Sequence, residues 1–224
     1  EDLDHDQTAK VFGRLAWHDF TLEVIASDRR KQVPTASFYT VFDDPRFEVN
    51  DLWGYADLKF EHAFASDTTV MARLSYDHYG YKATYPTDYA EPGDPPFIVL
   101  NKDDNFGDWL TVEGQLTQRI ADRHTVIVGV DYRDNFRQSE LNYDEDPYEV
   151  WTDEEGRSWN AGFYAQGDVA LRTNLVVSAG GRYDYYDSFG ATLNPRAGII
   201  YSPWNPTTFK VLYGEAFRAP NRYE

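Results

Sequence analysis

Five histidines stand at positions 5, 18, 62, 78 and 124, too scattered for the paired spacings that present a metal site. Cysteine is absent, which removes a thiolate nucleophile, a thiolate metal site and a disulfide framework. No glycine-rich phosphate loop and no nucleophile elbow occur. Carboxylates are so plentiful, at 38 Asp and Glu, that adjacent pairs arise by chance and give no sign of general acid–base work. Asp144-Glu145-Asp146 with Asp153-Glu154-Glu155 offers the oxygen donors that a hard cation wants. It lacks the fixed spacing and central glycine of a calcium loop, and reads as a solvated acidic loop. These residues point away from an enzyme, and no cofactor or metal is expected.

The side chains with binding chemistry are aromatic. Phe38, Tyr39, Tyr85, Tyr89, Tyr143, Tyr148 and Trp151 fall in segments expected to be long loops. Loops on a rigid scaffold carry binding sites, and aromatic rings supply contact area at low entropic cost. These seven are the ligand candidates. The bland alternative is that they pack each loop against itself. Their acidic surroundings would repel an anion, which leaves a neutral ligand or positive charge supplied from elsewhere.

What positions these loops is a set of strands. From Trp159 to Leu171, one face carries Trp159, Ala161, Phe163, Ala165, Val169 and Leu171, and the other Asn160, Tyr164, Gln166 and Asp168. Val126, Val128, Val130 and Tyr132 oppose Thr125, Asp131 and Arg133 in the same way. Period two is the mark of a strand, whereas a helix would spread these charges around its circumference. The pattern predicts about ten strands, near 8–17, 20–28, 51–64, 69–82, 107–120, 124–137, 159–171, 174–186, 193–203 and 207–217. Most are as long as the ~9–11 residues that cross a tilted bilayer.

Short connections at 18–19, 65–67, 121–123, 172–173 and 205–206 alternate with long ones at 29–50, 83–106 and 138–158; 187–192 is long by position only. Tight turns at one end and long loops at the other describe an all-β antiparallel up-and-down meander, part of a transmembrane barrel. The mean hydropathy of −0.64 does not oppose this, because a barrel strand is apolar only on alternate residues. No signal peptide opens the chain and no apolar run is long enough for a membrane helix. A net charge of −17 excludes a nucleic-acid partner, while 17 Tyr, 14 Phe and 6 Trp argue against an acidic disordered chain.

The apolar face turns aromatic near the strand ends, at Trp17, Phe20, Phe60, Phe64, Tyr76, Trp109, Tyr132, Trp159, Tyr183, Tyr185, Tyr201, Trp204 and Tyr213. That is the placement of a girdle at a membrane–water boundary. The other face mixes Arg14, Lys59, Arg73, Arg133, Arg182 and Arg196 with Glu23, Asp57, Glu61, Asp77, Glu113, Asp131, Asp168 and Asp184. It suits a wet lumen, or equally the outer face of a soluble β-sheet binding module.

The last third carries a resemblance. Ala179-Gly180-Gly181-Arg182-Tyr183-Asp184, then Asn194-Pro195-Arg196-Ala197-Gly198, then Tyr213-Gly214-Glu215-Ala216-Phe217-Arg218-Ala219-Pro220-Asn221 resembles the barrel of TonB-dependent receptors, in the ferric-siderophore and colicin receptor-like subgroup. The run Asp-Arg-His-Thr-Val-Ile-Val-Gly-Val-Asp-Tyr-Arg-Asp-Asn-Phe-Arg-Gln at 122–138 fits the same strands, so the match covers roughly residues 107–224, and the hairpin layout extends the likeness to the N-terminus. The resemblance implies an outer-membrane protein of a Gram-negative bacterium that takes up a scarce chelate, such as a ferric siderophore. It implies outer-membrane lipid, a plug domain and the TonB complex as partners. No plug-like domain is recognisable, so residues 1–224 are expected to be a partial barrel. Arg182, Asp184, Arg196 and Arg218 are expected to face the lumen and its plug, with Gly180, Gly181 and Gly198 leaving room where another backbone or the plug approaches. Pro195 and Pro220 are expected where strands begin or end. A passive porin-type channel is the competing transport reading.

Overall fold

The computed structural model describes residues 3–65 and 67–219. Ten strands run in chain order: β1 (Asp6–Trp17), β2 (Phe20–Gln32), β3 (Glu48–Ala65), β4 (Thr68–Asp88), β5 (Ile98–Ile120), β6 (His124–Asp144), β7 (Glu149–Arg172), β8 (Leu175–Tyr186), β9 (Gly190–Trp204) and β10 (Thr207–Gly214). They form one sheet in the order β1 to β10, every neighbouring pair antiparallel. Each strand therefore pairs with its sequence neighbours, as the alternating connections predict.

Cross-strand register sorts the faces. Leu58, Leu74, Val112, Tyr132, Ala161 and Tyr185 lie in one row across six strands. The next residue along puts Lys59, Arg73, Glu113, Asp131, Gly162 and Asp184 in another row, on the opposite face. No second layer covers the apolar face, since the described residues form a single sheet. Val130, Phe163 and Leu193 are 54%, 51% and 65% exposed, a cost that burial in lipid removes.

Aromatic rings mark the two margins of that face. Near the tight turns Phe20 meets Phe60 at 5.1 Å, and His62 meets Phe64 at 4.6 Å. Further up, Trp159 sits between Tyr132 and Tyr185, with centroids 6.0 and 5.4 Å away, distances at which ring pairs attract. Trp109 is not part of this girdle. It pairs with Asp77 on the charged face, and the Arg133 guanidinium lies 4.5 Å from its ring. A bulge between Asp108 and Leu110 interrupts the ladder at this residue, but odd positions of β5 face the charged side throughout the wall, where Thr111 and Glu113 also stand.

The expected long loops are mostly strand. Segments 83–88, 98–106, 138–144 and 149–158 continue β4, β5, β6 and β7, so the true connections are 33–47, 89–97 and 145–148. At about 3.3–3.4 Å per residue, the 24 residues of β7 extend about 80 Å, well beyond a bilayer core of about 30 Å even when tilted. The upper halves of β4 to β7 therefore stand clear of the membrane. Period two fades there because both faces are wet: Lys82, Asp104 and Arg137 occupy the face that is apolar below.

Two further boundaries differ from the sequence reading. β10 ends at Gly214, not 217. Pro195 lies inside β9, not at its end. A residue's N and carbonyl point to the same side of a strand, and the Pro195 carbonyl accepts the Glu215 amide at the point where the β9–β10 ladder stops. The missing N–H therefore falls where no partner strand needs it. Pro220 and Asn221 lie outside the described residues.

Candidate functional site

Residues 33–47 join β2 to β3 and fold onto the upper part of β4 and β5. Val33 donates to the Phe47 carbonyl at 3.0 Å, and Val41 to the Pro86 carbonyl at 2.8 Å. Thr40 bridges Thr87 on β4. Asp44 accepts the Arg46 amide and guanidinium at 2.9 Å each. That guanidinium holds the buried Asp44 carboxyl below its ordinary pKa. The buried apolar side chains among the described residues are Phe47, Ala83, Pro86 and Val99, all at this rim. The rim thus has a small core of its own, closed by Phe47 against Tyr85 at 5.3 Å.

The fold of the segment pushes two rings outward. Phe38 and Tyr39 adopt φ of 58° and 63°, a left-handed conformation that bulky residues rarely take without compensation. Bonds on either side hold it: Thr40 donates through backbone and hydroxyl to the Ser37 carbonyl, and Val41 is tied to β4.

Under this roof lies a cavity of about 920 Å³ lined by Phe38, Tyr39, Tyr85, Tyr89, Phe97 and Trp151, with Asp88, Asn101, Asp103, Asn142, Asp144 and Glu149. Register explains the grouping. Tyr85, Asn101, Asp144 and Glu149 form one row across β4 to β7, and Asp103 and Asn142 pair in the row below. A bulge at Asn142/Tyr143 adds Trp151 to β7 and turns it inward. Asp144 is 2% exposed and accepts from Asn101, the Tyr89 hydroxyl and the Trp151 indole at 2.9, 3.3 and 2.9 Å. Burial, with Asp144 beside it, raises the Tyr89 phenol above its ordinary pKa, so it remains a donor. The acidic run at 144–146 is thus not simply solvated: its first carboxylate anchors three side chains.

Five of the seven aromatic candidates meet here. Tyr143 and Tyr148 do not. Their rings pair at 5.7 Å, and Tyr143 shares the row of Lys102 and Thr84 on the opposite face. Of the seven, Tyr85, Tyr143 and Trp151 lie on strands rather than loops. Phe97, Asn101, Asn142, Asp144 and Glu149 were not anticipated. The signal that finds them is the period-two spacing of Asn101 and Asp103, and of Asn142 and Asp144, in segments that read as loop.

Below the cavity, the charged face is tied together across the sheet. Arg73 bonds Asp57 and lies 3.9 Å from Glu113. Glu113 and Gln115 accept the Tyr164 hydroxyl at 3.2 and 2.9 Å. Arg182 bridges Asp131 and Asp184 at 2.8 and 2.6 Å. Two glycines make the network possible. A Cβ on Gly129 would stand 2.2 Å from the Tyr164 ring, and one on Gly162 would stand 2.2 Å from the Arg182 guanidinium.

Arg182, Asp184 and Arg196 share the charged face, with Arg196 opposite Gly180. Arg218 lies beyond β10 and is exposed. Of the three glycines expected to leave room, Gly180 lies close to a backbone, the carbonyl of Ala165. Gly198 abuts the Leu212 side chain, and Gly181 has only ordinary contacts.

Comparisons with known proteins agree with this architecture. The family described as TonB dependent receptor-like, beta-barrel matches residues 4–224. The fold is similar to that in the FpvAI–pyocin S2 complex, with a TM-score of 0.74 and 14% identity over 95% of this chain and 35% of that one. It is also similar to the ferripyoverdine receptor of the outer membrane of Pseudomonas aeruginosa, with a TM-score of 0.71 and 15% identity over 95% of this chain and 36% of that one. The ferric enterobactin receptor PfeA of the same organism gives a TM-score of 0.66 and 14% identity over 97% and 34%. The chain spans about a third of the length of these proteins. No curated protein matches it in sequence. A family match over nearly all of its length, on a sheet with one uncovered apolar face, makes this chain a member of the TonB-dependent receptor β-barrel family, outer-membrane receptors and not enzymes.

Proposed function

We propose that residues 1–224 form the wall and part of the mouth of a larger plugged barrel that imports a scarce chelate, such as a ferric siderophore. The plug lies outside these residues, and the TonB complex acts through it. The observation that supports this reading is the aromatic cavity of about 920 Å³ at the long-connection rim, above the charged face of the sheet, which in this reading lines the lumen. In the luminal face, Arg182 is already occupied by Asp131 and Asp184, whereas the Arg196 side chain has no hydrogen-bond or ion-pair partner among the described residues. Arg196 is therefore the proposed plug contact, through charge-assisted hydrogen bonds, with Arg182 and Asp184 holding the wall beside it and Arg218 at its margin.

The test is uptake in the host. Deleting the gene should abolish accumulation of one radiolabelled metal chelate, and a protonophore should stop its accumulation in the wild type. Accumulation that ignores the protonophore indicates a passive channel, and unchanged accumulation after deletion removes the receptor reading.

A further inference from the structure

We infer that the part of the ligand seated in the rim cavity is an organic cation: an ammonium, guanidinium or quaternary ammonium group. This deepens the proposed uptake function and rests on it, because that function is what makes the cavity a ligand site.

The charge of the lining carries the inference. Asp88, Asp103, Asp144 and Glu149 border the cavity, and no Lys, Arg or His lies among the described lining residues. The cation adjacent in sequence, Lys102, is on the other face, 3.6 Å from Glu145 and 3.1 Å from the Thr84 hydroxyl. The carboxylates are not neutralised from within. Asp144 accepts only neutral donors, Asp88 accepts the amides of Ala90 and Phe97, and Asp103 accepts the Asn142 side-chain amide. The Glu149 carboxylate has no hydrogen-bond or ion-pair partner among the described residues.

A concave site of one sign with apolar walls concentrates counter-ions and repels anions. The walls supply the second half of the chemistry. Tyr85, Tyr89, Phe97 and Trp151 line the cavity with aromatic rings, and a cation over a ring face gains most where water is excluded. A bare metal ion does not fit, because no three His, Cys, Asp or Glu among the described residues converge closely enough to hold one. Carboxylates dispersed around aromatic faces match a cation with a diffuse, partly apolar surface. A chelate therefore enters with its positively charged portion first, and an anionic chelate without such a group is excluded.

The probe pair is choline and its uncharged isostere, with carbon in place of the quaternary nitrogen, titrated against the full-length receptor in detergent. Choline should bind about tenfold more tightly than the isostere. Glu149→Gln and Asp103→Asn should each shrink that advantage, and raised salt should weaken choline binding. Equal affinities, binding of neither probe, or tighter binding of benzoate overturns the inference. The comparison on the wild type needs no variant, so a misfolded mutant cannot obscure it. Failure here with chelate uptake intact rejects the charge preference alone; loss of both rejects the uptake reading as well.

Discussion

The membrane wall and the rim above it are built by different means from the same strands. In the wall, Val130, Phe163 and Leu193 are exposed on a face that no protein covers, and the stabilising contacts are backbone ladders plus the charged ties of the lumen face. At the rim, Phe47 and Val99 are each 1% exposed and a 15-residue connection, 33–47, closes over them. The wall depends on its solvent, whereas the rim carries its own core. That difference teaches where a substitution should be felt: in lipid for one, in local order for the other.

The largest effect expected is at the rim core. Phe47→Ala should cost about 3–5 kcal/mol, the usual range for emptying a buried aromatic site. The loss should be confined to the 33–47 segment, read as faster hydrogen exchange there with β6 to β8 protected. Loss of protection throughout the sheet would mean that the rim core is not separate from the wall.

In the wall, Val130→Arg should cost about 2–4 kcal/mol when unfolding is measured from lipid bilayers, as for cations near a bilayer midplane. The same change at Phe42, which is 73% exposed on the rim, should stay within about 0.5 kcal/mol. Equal penalties at the two sites would break the comparison.

A smaller effect belongs to the lumen network. Gly162→Ala places a Cβ against the Arg182 guanidinium, and should cost about 1–3 kcal/mol by crowding and by breaking its bridge to Asp131 and Asp184. Gly167→Ala, with nothing within 4 Å of the added atom, should cost nothing measurable. If the two variants unfold alike, the network is not holding the wall.

The smallest effect is pH. Asp44 is held below its ordinary pKa mainly by the Arg46 side chain, against an opposing contribution from burial. A lowered folded-state pKa means stabilisation present above the unfolded carboxylate value of ~3.9 and lost as pH falls through the folded value. The rim segment should therefore become more susceptible to pepsin below about pH 4, and Asp44→Asn should remove that pH dependence. A flat profile in the wild type would exclude the clamp.

The same division governs what can be read from the residues. Lower β6 and β7 keep a period-two pattern, broken by Ile127, because one face meets lipid, so Val126, Val128 and Val130 announce both strand and face. Their continuations, 138–144 and 149–158, look like loop because both sides are wet and hydrophobic alternation has no cause to persist. Tyr85 and Trp151 were legible as binding types but not as strand residues. The bulges beside Trp109 and at Trp151 depend on a two-against-one register that no local spacing encodes. Asp144 was hidden in an acidic run, since only the folded rim brings Tyr89, Asn101 and Trp151 to it.

One face of the wall meets lipid, and that contact ends where the rim begins. Residues 1–224 contain no cysteine, so once any cysteine elsewhere in the full-length receptor is replaced, single cysteines placed from 126 to 144 along β6 give unambiguous spin labels in bilayers. Oxygen accessibility should alternate with period two from Val126 to Tyr132, high at even positions and low at odd ones, and the alternation should be gone from Gln138 to Asp144. High accessibility at Ile127, Gly129 and Asp131 in place of the even positions, or an alternating lipid signal that continues to Asp144, would contradict it.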